Sequence, residues 1–126
     1  MKAKIILLCV LCTLVLGCKK DTAENDVSFA ITNSSSGNVK EIYVKIIDSE
    51  KSIDAIKLSN LAINNKETKV INLSSFKLKG DGSYKAGAVL ADGKIIEKTF
   101  GYLTNGIDMN TKGYTIDISN SEILIK

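Results

Sequence analysis

The chain has 126 residues, 17 basic and 14 acidic, for a formal net charge of +3, and 44% of it is apolar. That is one ordinary domain's worth of chain, able to bury a core without cross-links. Histidine and arginine are both absent, which excludes imidazole bases, His-dependent nucleophile systems, His-ligated metals and bidentate guanidinium recognition of phosphate.

The first element, residues 1–18, reads MKAKIILLCVLCTLVLGC. Lys2 and Lys4 open it, an uncharged run from Ile5 to Leu16 follows, and Val15-Leu16-Gly17-Cys18 closes it. The run is too short for a membrane span, which needs ~20 residues, but it fits the apolar region of an export signal. Val15-Leu16-Gly17-Cys18 resembles the lipobox of bacterial lipoproteins. That resemblance implies removal of residues 1–17 and acylation of Cys18. Losing the first 17 of 126 residues leaves 109, and losing Lys2 and Lys4 reduces 17 basic residues to 15 against 14 acids. The near-neutral remainder carries no basic patch for nucleic acid. Cys9 and Cys12 would leave with the signal, so Cys9-Val10-Leu11-Cys12 is not read as a redox motif, and no disulfide is expected.

Residues 18–26 are the lipidated cysteine and a polar tether, with five charges in residues 19–26. Lys19-Lys20-Asp21 directly after the cysteine resembles lipoproteins of the Bacteroidota, in which nearby acids direct export to the cell surface. The chain is therefore expected in the cell envelope, lipid-anchored at the outer membrane, with its surface or periplasmic face open.

Residues 27–126 are expected to form the domain. Val27, Phe29 and Ile31 alternate with short residues, as a half-buried strand does. A turn cluster at 33–38 joins it to a second strand at 39–47, and the two are read as a hairpin. Residues 49–63 are read as an irregular link, with a hint of a helical turn, running into a strand that ends near Ile63. Alternation resumes over 68–76. Residues 83–91 and 94–103 flank Asp92-Gly93, a two-residue turn signal of type I′. Asn105-Gly106 ends the second of these strands, 107–113 is a loop, and 114–118 with 123–125 make a terminal hairpin whose tyrosine and isoleucines face inward. No sustained helical period occurs. The expected fold is all-β: a single antiparallel β-sandwich of about seven or eight strands, immunoglobulin-like or transthyretin-like. With no proline in the chain, edge protection falls to lysines such as Lys77, Lys79 and Lys98.

Motifs for chemistry are weak. Ser74-Ser75-Phe76-Lys77 has the Ser-x-x-Lys spacing of penicillin-interacting enzymes, but lacks the partner motifs and follows a strand. Residues 108–113 open like a calcium loop, yet the fifth place is Lys112 and the twelfth is Ser119, where a glutamate should stand. A carboxylate pair for glycoside hydrolysis would need a cleft. No catalytic set, metal site or cofactor is expected. Phe100 and Tyr102 are read on one strand face, Phe100 in the core, while Tyr102, Asn105 and Gly106 are the candidate contact residues. The leading reading is a membrane-anchored, non-enzymatic binding or structural module that meets an envelope protein or glycan. The alternatives are an inhibitor or sensor of an envelope enzyme, and a small carboxylate-based hydrolase.

Overall fold

Residues whose apolar side chains recur every second position can bury one face and leave the other to solvent. The computed structural model describes residues 25–109 and 112–126 and follows this rule most regularly over residues 26–33, 39–47 and 113–118. The signal-like segment, Cys18 and the tether up to residue 24 lie outside the described residues. Among the described residues there are nine strands and one short 3-10 turn: β1 (Asp26–Asn33), β2 (Val39–Ile47), β3 (Ser52–Leu61), β4 (Lys66–Asn72), the turn Leu73–Phe76, β5 (Gly82–Val89), β6 (Ile95–Thr104), β7 (Ile107–Asp108), β8 (Gly113–Ile118) and β9 (Ile123–Ile125). Sheet I has the order β4-β1-β8-β9 and sheet II the order β3-β2-β5-β6-β7. Their inner faces meet in one core, with Phe29, Ile31, Val44, Ile46, Tyr84, Ile116 and Ile118 fully buried. The all-β sandwich expected from the alternation is the observed architecture.

Several details differ. The strands at 27–32 and 39–47 do not form a hairpin: β1 lies in sheet I and β2 in sheet II, and residues 34–38 cross between the sheets. The hairpin partner of β2 is β3, which occupies most of the stretch expected to be irregular, with a bulge between Val44 and Lys45. Sheet I is not purely antiparallel, because β1 runs parallel to β8, with Phe29 beside Tyr114 and Ile31 beside Ile116. The alternation expected over 68–76 stops at Asn72. There the side chain accepts a bond from the Ser74 backbone amide at 3.0 Å and starts the 3-10 turn, as an N-cap does.

Of the lysines expected at strand edges, Lys98 lies where β6 pairs with β5 alone, since β7 joins β6 only at Leu103 and Thr104, whereas Lys77 and Lys79 follow the 3-10 turn. The edge strand β4 is blunted by Glu67 and Lys69, which sit across from Ile31 and Phe29 on the inward side and approach to 3.9 Å. Charges pointing inward at an edge oppose pairing with another chain.

The two loops between β5, β6 and β7 share a sequence signal but not a conformation. At 90–94, only Gly93 has positive φ (90°), and its amide bonds the Leu90 carbonyl at 2.9 Å while the Leu90 amide bonds Lys94 at 2.8 Å. This is a three-residue loop, a turn followed by a left-handed glycine, rather than the two-residue type I′ turn. The strand pairing is as expected, with Lys85 opposite Thr99 and Val89 opposite Ile95. The type I′ geometry occurs at the next turn, where Asn105 and Gly106 have φ of 49° and 80° and join β6 to β7.

Candidate functional site

Strand direction gives the sandwich two unlike ends. The near end gathers Asn25, the start of β1, the 3-10 turn and the loop after it, residues 48–51 and the β6–β7 turn. The backbone amide of Leu73 bonds Asn25 at 2.8 Å, Lys51 Nζ donates to the Phe76 carbonyl at 3.1 Å, and the Lys79 amide donates to Asp48 at 2.9 Å. The far end gathers residues 34–38, 62–65, 90–94 and 119–122.

Toward the near end, four rings from both sheets interlock. Phe29, Tyr84, Phe100 and Tyr114 are in mutual contact, with centroids 5.0–6.4 Å apart and mostly edge-to-face, a favoured aromatic arrangement. Asp108 Oδ2 accepts the Tyr84 hydroxyl at 3.0 Å and the Tyr114 hydroxyl at 2.7 Å. Burial, reinforced by the Asp108 carboxylate, holds both phenols well above their ordinary range. One carboxylate on β7 thereby ties β5 of sheet II to β8 of sheet I. Sequence reasoning missed this pin, because the tyrosines lie 24 and 6 residues from Asp108 and nothing local marks them.

Phe100 belongs to the core periphery, as expected, but Tyr102 does not share its face. Tyr84 pairs with Phe100 and Gly82 with Leu103, so β6 carries one extra residue between these pairs. Gly101 takes up the bulge with φ of 74°. A Cβ there would lie 2.6 Å from the Tyr84 ring and 2.8 Å from the Tyr114 hydroxyl, so glycine is required on both conformational and steric grounds. The bulge sends Tyr102 outward, 49% exposed, where its hydroxyl donates to Asp81 at 2.9 Å. Tyr102, Asn105 and Gly106 are thus brought together on one outward hairpin. Ile107 and Met109, which sequence reasoning did not single out, join them at 44% and 66% exposure.

The far end is built from amides and hydroxyls. Asn33 is fully buried. Its Nδ2 donates to the Gly37 and Leu61 carbonyls, both at 2.9 Å, and its Oδ1 accepts from the Ser35 amide at 2.9 Å and the Ser35 hydroxyl at 2.6 Å. One side chain thus fixes the crossing loop and links sheet I to the end of β3. Asn120 Oδ1 accepts from the amide and hydroxyl of Ser36 at 2.9 and 3.0 Å. Around this framework lies a shallow depression of about 300 Å³, lined by Ser35, Ser36, Gly37, Leu90, Ala91, Asp92 and Asn120. The Asn33-Ser34-Ser35 run was a legible signal for such a side-chain-stabilised turn.

A depression of about 230 Å³ on the outer face of sheet II, lined by Glu41, Tyr43, Lys45, Asp54 and Lys57, bears on the hydrolase alternative. Lys57 lies 3.8 Å from Glu41, and Lys45 lies 3.9 Å from Asp54. Both carboxylates are solvent-exposed and salt-paired, the opposite of the apolar enclosure that makes a carboxyl a general acid near neutral pH. Beside them Tyr43 donates to Glu97 at 2.6 Å, and burial first, then Glu97, pushes its phenol up to about 12. Ser74 accepts a bond from Asn25 Nδ2 at 2.7 Å, and Lys77 sits in a left-handed C-cap after the 3-10 turn. Asp108, first residue of the calcium-like stretch, engages two tyrosines, and Asn110 and Thr111 lie outside the described residues. Among the described residues no group of three acidic or sulfur ligands is placed to hold a metal.

Fold and surface define a small two-sheet β-sandwich protein. It is similar in fold to the NMR structure of a protein from Eubacterium rectale, with a TM-score of 0.54 and 14% identity over 85% of this chain and 92% of that one. The chain matches no protein-family model and no curated protein.

Proposed function

We propose that the chain is a bacterial cell-envelope lipoprotein, anchored at the outer membrane through acylated Cys18, whose sandwich is a non-enzymatic binding or structural module. The observation that carries the anchor is the lipobox-like Val15-Leu16-Gly17-Cys18, and the placement of the two ends of the domain supports the binding module. The polar tether from Cys18 joins the domain at Asn25, at the near end. The hydroxyl- and amide-lined depression lies at the other end, one strand length away, on the order of 30 Å for a nine-residue strand. An anchor at the near end presents that polar surface to whatever envelope protein or glycan the module meets. Two or three acyl chains hold a protein far more firmly than one, at ~0.8 kcal/mol per buried methylene.

The test is mass spectrometry of the N-terminal peptide together with detergent-phase partition. The mature wild-type protein should begin at an acylated Cys18 and enter the detergent phase, and Cys18→Ala should remain uncleaved and unacylated. A soluble wild-type protein with unmodified Cys18 overturns the reading. With the anchor established, Asn120→Ala should weaken capture of envelope components while the melting temperature changes little.

A further inference from the structure

Tyr102, Ile107 and Met109 are three of the large apolar side chains left exposed on the sandwich, and they lie together. In the β6–β7 register, Leu103 pairs with Asp108 and Thr104 with Ile107. Since Leu103 is buried, its neighbours Tyr102 and Thr104, and Ile107 opposite Thr104, take the outward side of this hairpin, and Met109, directly after β7, is 66% exposed. Its turn is at the near end, where a Cβ on Gly106 would lie 3.5 Å from Leu78 Cβ, and Tyr102 is held upright by Asp81 of the same end.

The near end is also where the chain from Cys18 arrives. Seven residue steps separate Cys18 from Asn25, and at ~3.3–3.6 Å per residue they span at most about 25 Å. We propose that the outward face of the β6–β7 hairpin, Tyr102, Ile107 and Met109, rests in the interface of the lipid bilayer that holds the protein's own acyl chains. The inference rests on the lipoprotein reading above.

Three side chains are too few for a specific protein interface of ordinary size. They suffice for a surface already held at the bilayer, because tethering makes the second contact intramolecular. Tyrosine, with an apolar ring and a polar tip, is a favoured residue at the membrane–water boundary. The contact is hydrophobic rather than electrostatic. Lys51, Lys77, Lys79 and Lys112 at this end stand with Asp26, Asp48, Glu50, Asp81 and Asp108, so the charges nearly balance and anionic lipid adds little. Docked this way, the sandwich leans with its far-end depression turned outward.

The chain has no tryptophan, which gives a clean probe. Ile107→Trp and, separately, Met109→Trp are made in the acylated full-length protein and reconstituted into phosphatidylcholine vesicles. Ile95→Trp, at the other end of β6, is the reference. The expected result is emission shifted to shorter wavelength and quenched by brominated acyl chains at positions 107 and 109. Position 95 should stay solvent-like, and neither signal should change with salt or with added phosphatidylglycerol. Solvent-like emission at 107 and 109 in a protein whose Cys18 is shown to be acylated overturns the surface while leaving the anchor intact. A shift that appears only when envelope proteins are added overturns it in favour of a protein partner. An unacylated Cys18 in the wild-type protein overturns both readings, and the N-terminal mass separates this case from the others.

Discussion

The two ends of this sandwich are closed by different physics. The near end is joined by four aromatic rings and a carboxylate that reaches across both sheets, so its integrity depends on strands far apart in the chain. At the far end a single buried asparagine is satisfied by a turn four residues long and by the end of one neighbouring strand. The difference teaches that burial of apolar area and satisfaction of polar groups can do the same architectural task. The first is non-directional and tolerates small shifts. The second depends on each hydrogen bond, because a buried donor or acceptor left without a partner costs ~1–3 kcal/mol.

The comparison can be broken most sharply at the near end. Phe29 is fully buried and touches the other three rings, so Phe29→Ala should lose ~3–5 kcal/mol of stability in urea unfolding. A loss below 1 kcal/mol would show that the rings are not what closes that end. At the far end, Asn33→Ala removes little volume but takes the side-chain donor from the Leu61 carbonyl and the acceptor from the Ser35 amide, while the Ser35 hydroxyl still reaches the Gly37 carbonyl. A loss of about 2–3 kcal/mol is expected, and a near-neutral result would mean that water replaces the amide. Glycines sharpen the contrast. Gly101 and Gly93 both have positive φ, but a Cβ on Gly93 meets nothing within 4 Å, whereas one on Gly101 meets Tyr84 and Tyr114. Gly93→Ala should cost about 1 kcal/mol for the backbone alone, and Gly101→Ala about twice that. Equal costs would show that the aromatic cluster yields freely to an added methyl group.

Much of the fold was legible because period two is a local signal. It located β1, β2, β5, β6, β8 and β9 and sorted the residues of β1, β2 and β8 by face, and Asp92-Gly93 located a hairpin. Pairing was less legible. Alternation says which face of β1 is inside, but not that its neighbours are β4 and β8 rather than β2, since partners are set by how both sheets share one core. The face switch within β6 was hidden for a related reason. Gly101 is the expected residue for a bulge, yet only the register of β5 shows that Phe100 and Leu103 both point inward. Tyr102, Asn105 and Gly106 could be named from composition and turn chemistry. Their neighbours Ile107 and Met109 could not, because exposure of an apolar residue depends on the β7 pairing.

The smallest expected effect separates the polar part of the near end from its packing. Tyr114→Phe keeps the ring in place and removes one of two hydroxyls from Asp108, leaving the Tyr84 bond at 3.0 Å. About 1 kcal/mol should be lost near neutral pH. The effect should also depend on pH. Burial first, and then Asp108, raise the Tyr114 phenol above its ordinary value of 10.0. The unfolded chain therefore gives up this proton before the folded protein does. The contribution of the phenol is complete below about pH 10 and is lost as pH rises further. The informative quantity is the difference between wild type and Tyr114→Phe measured from pH 8 upward, which cancels whatever the two proteins share. That difference should hold steady to about pH 10 and then shrink. No difference at any pH would mean that Tyr114 acts at the near end through its ring alone, and that the carboxylate of Asp108 closes the sandwich through Tyr84.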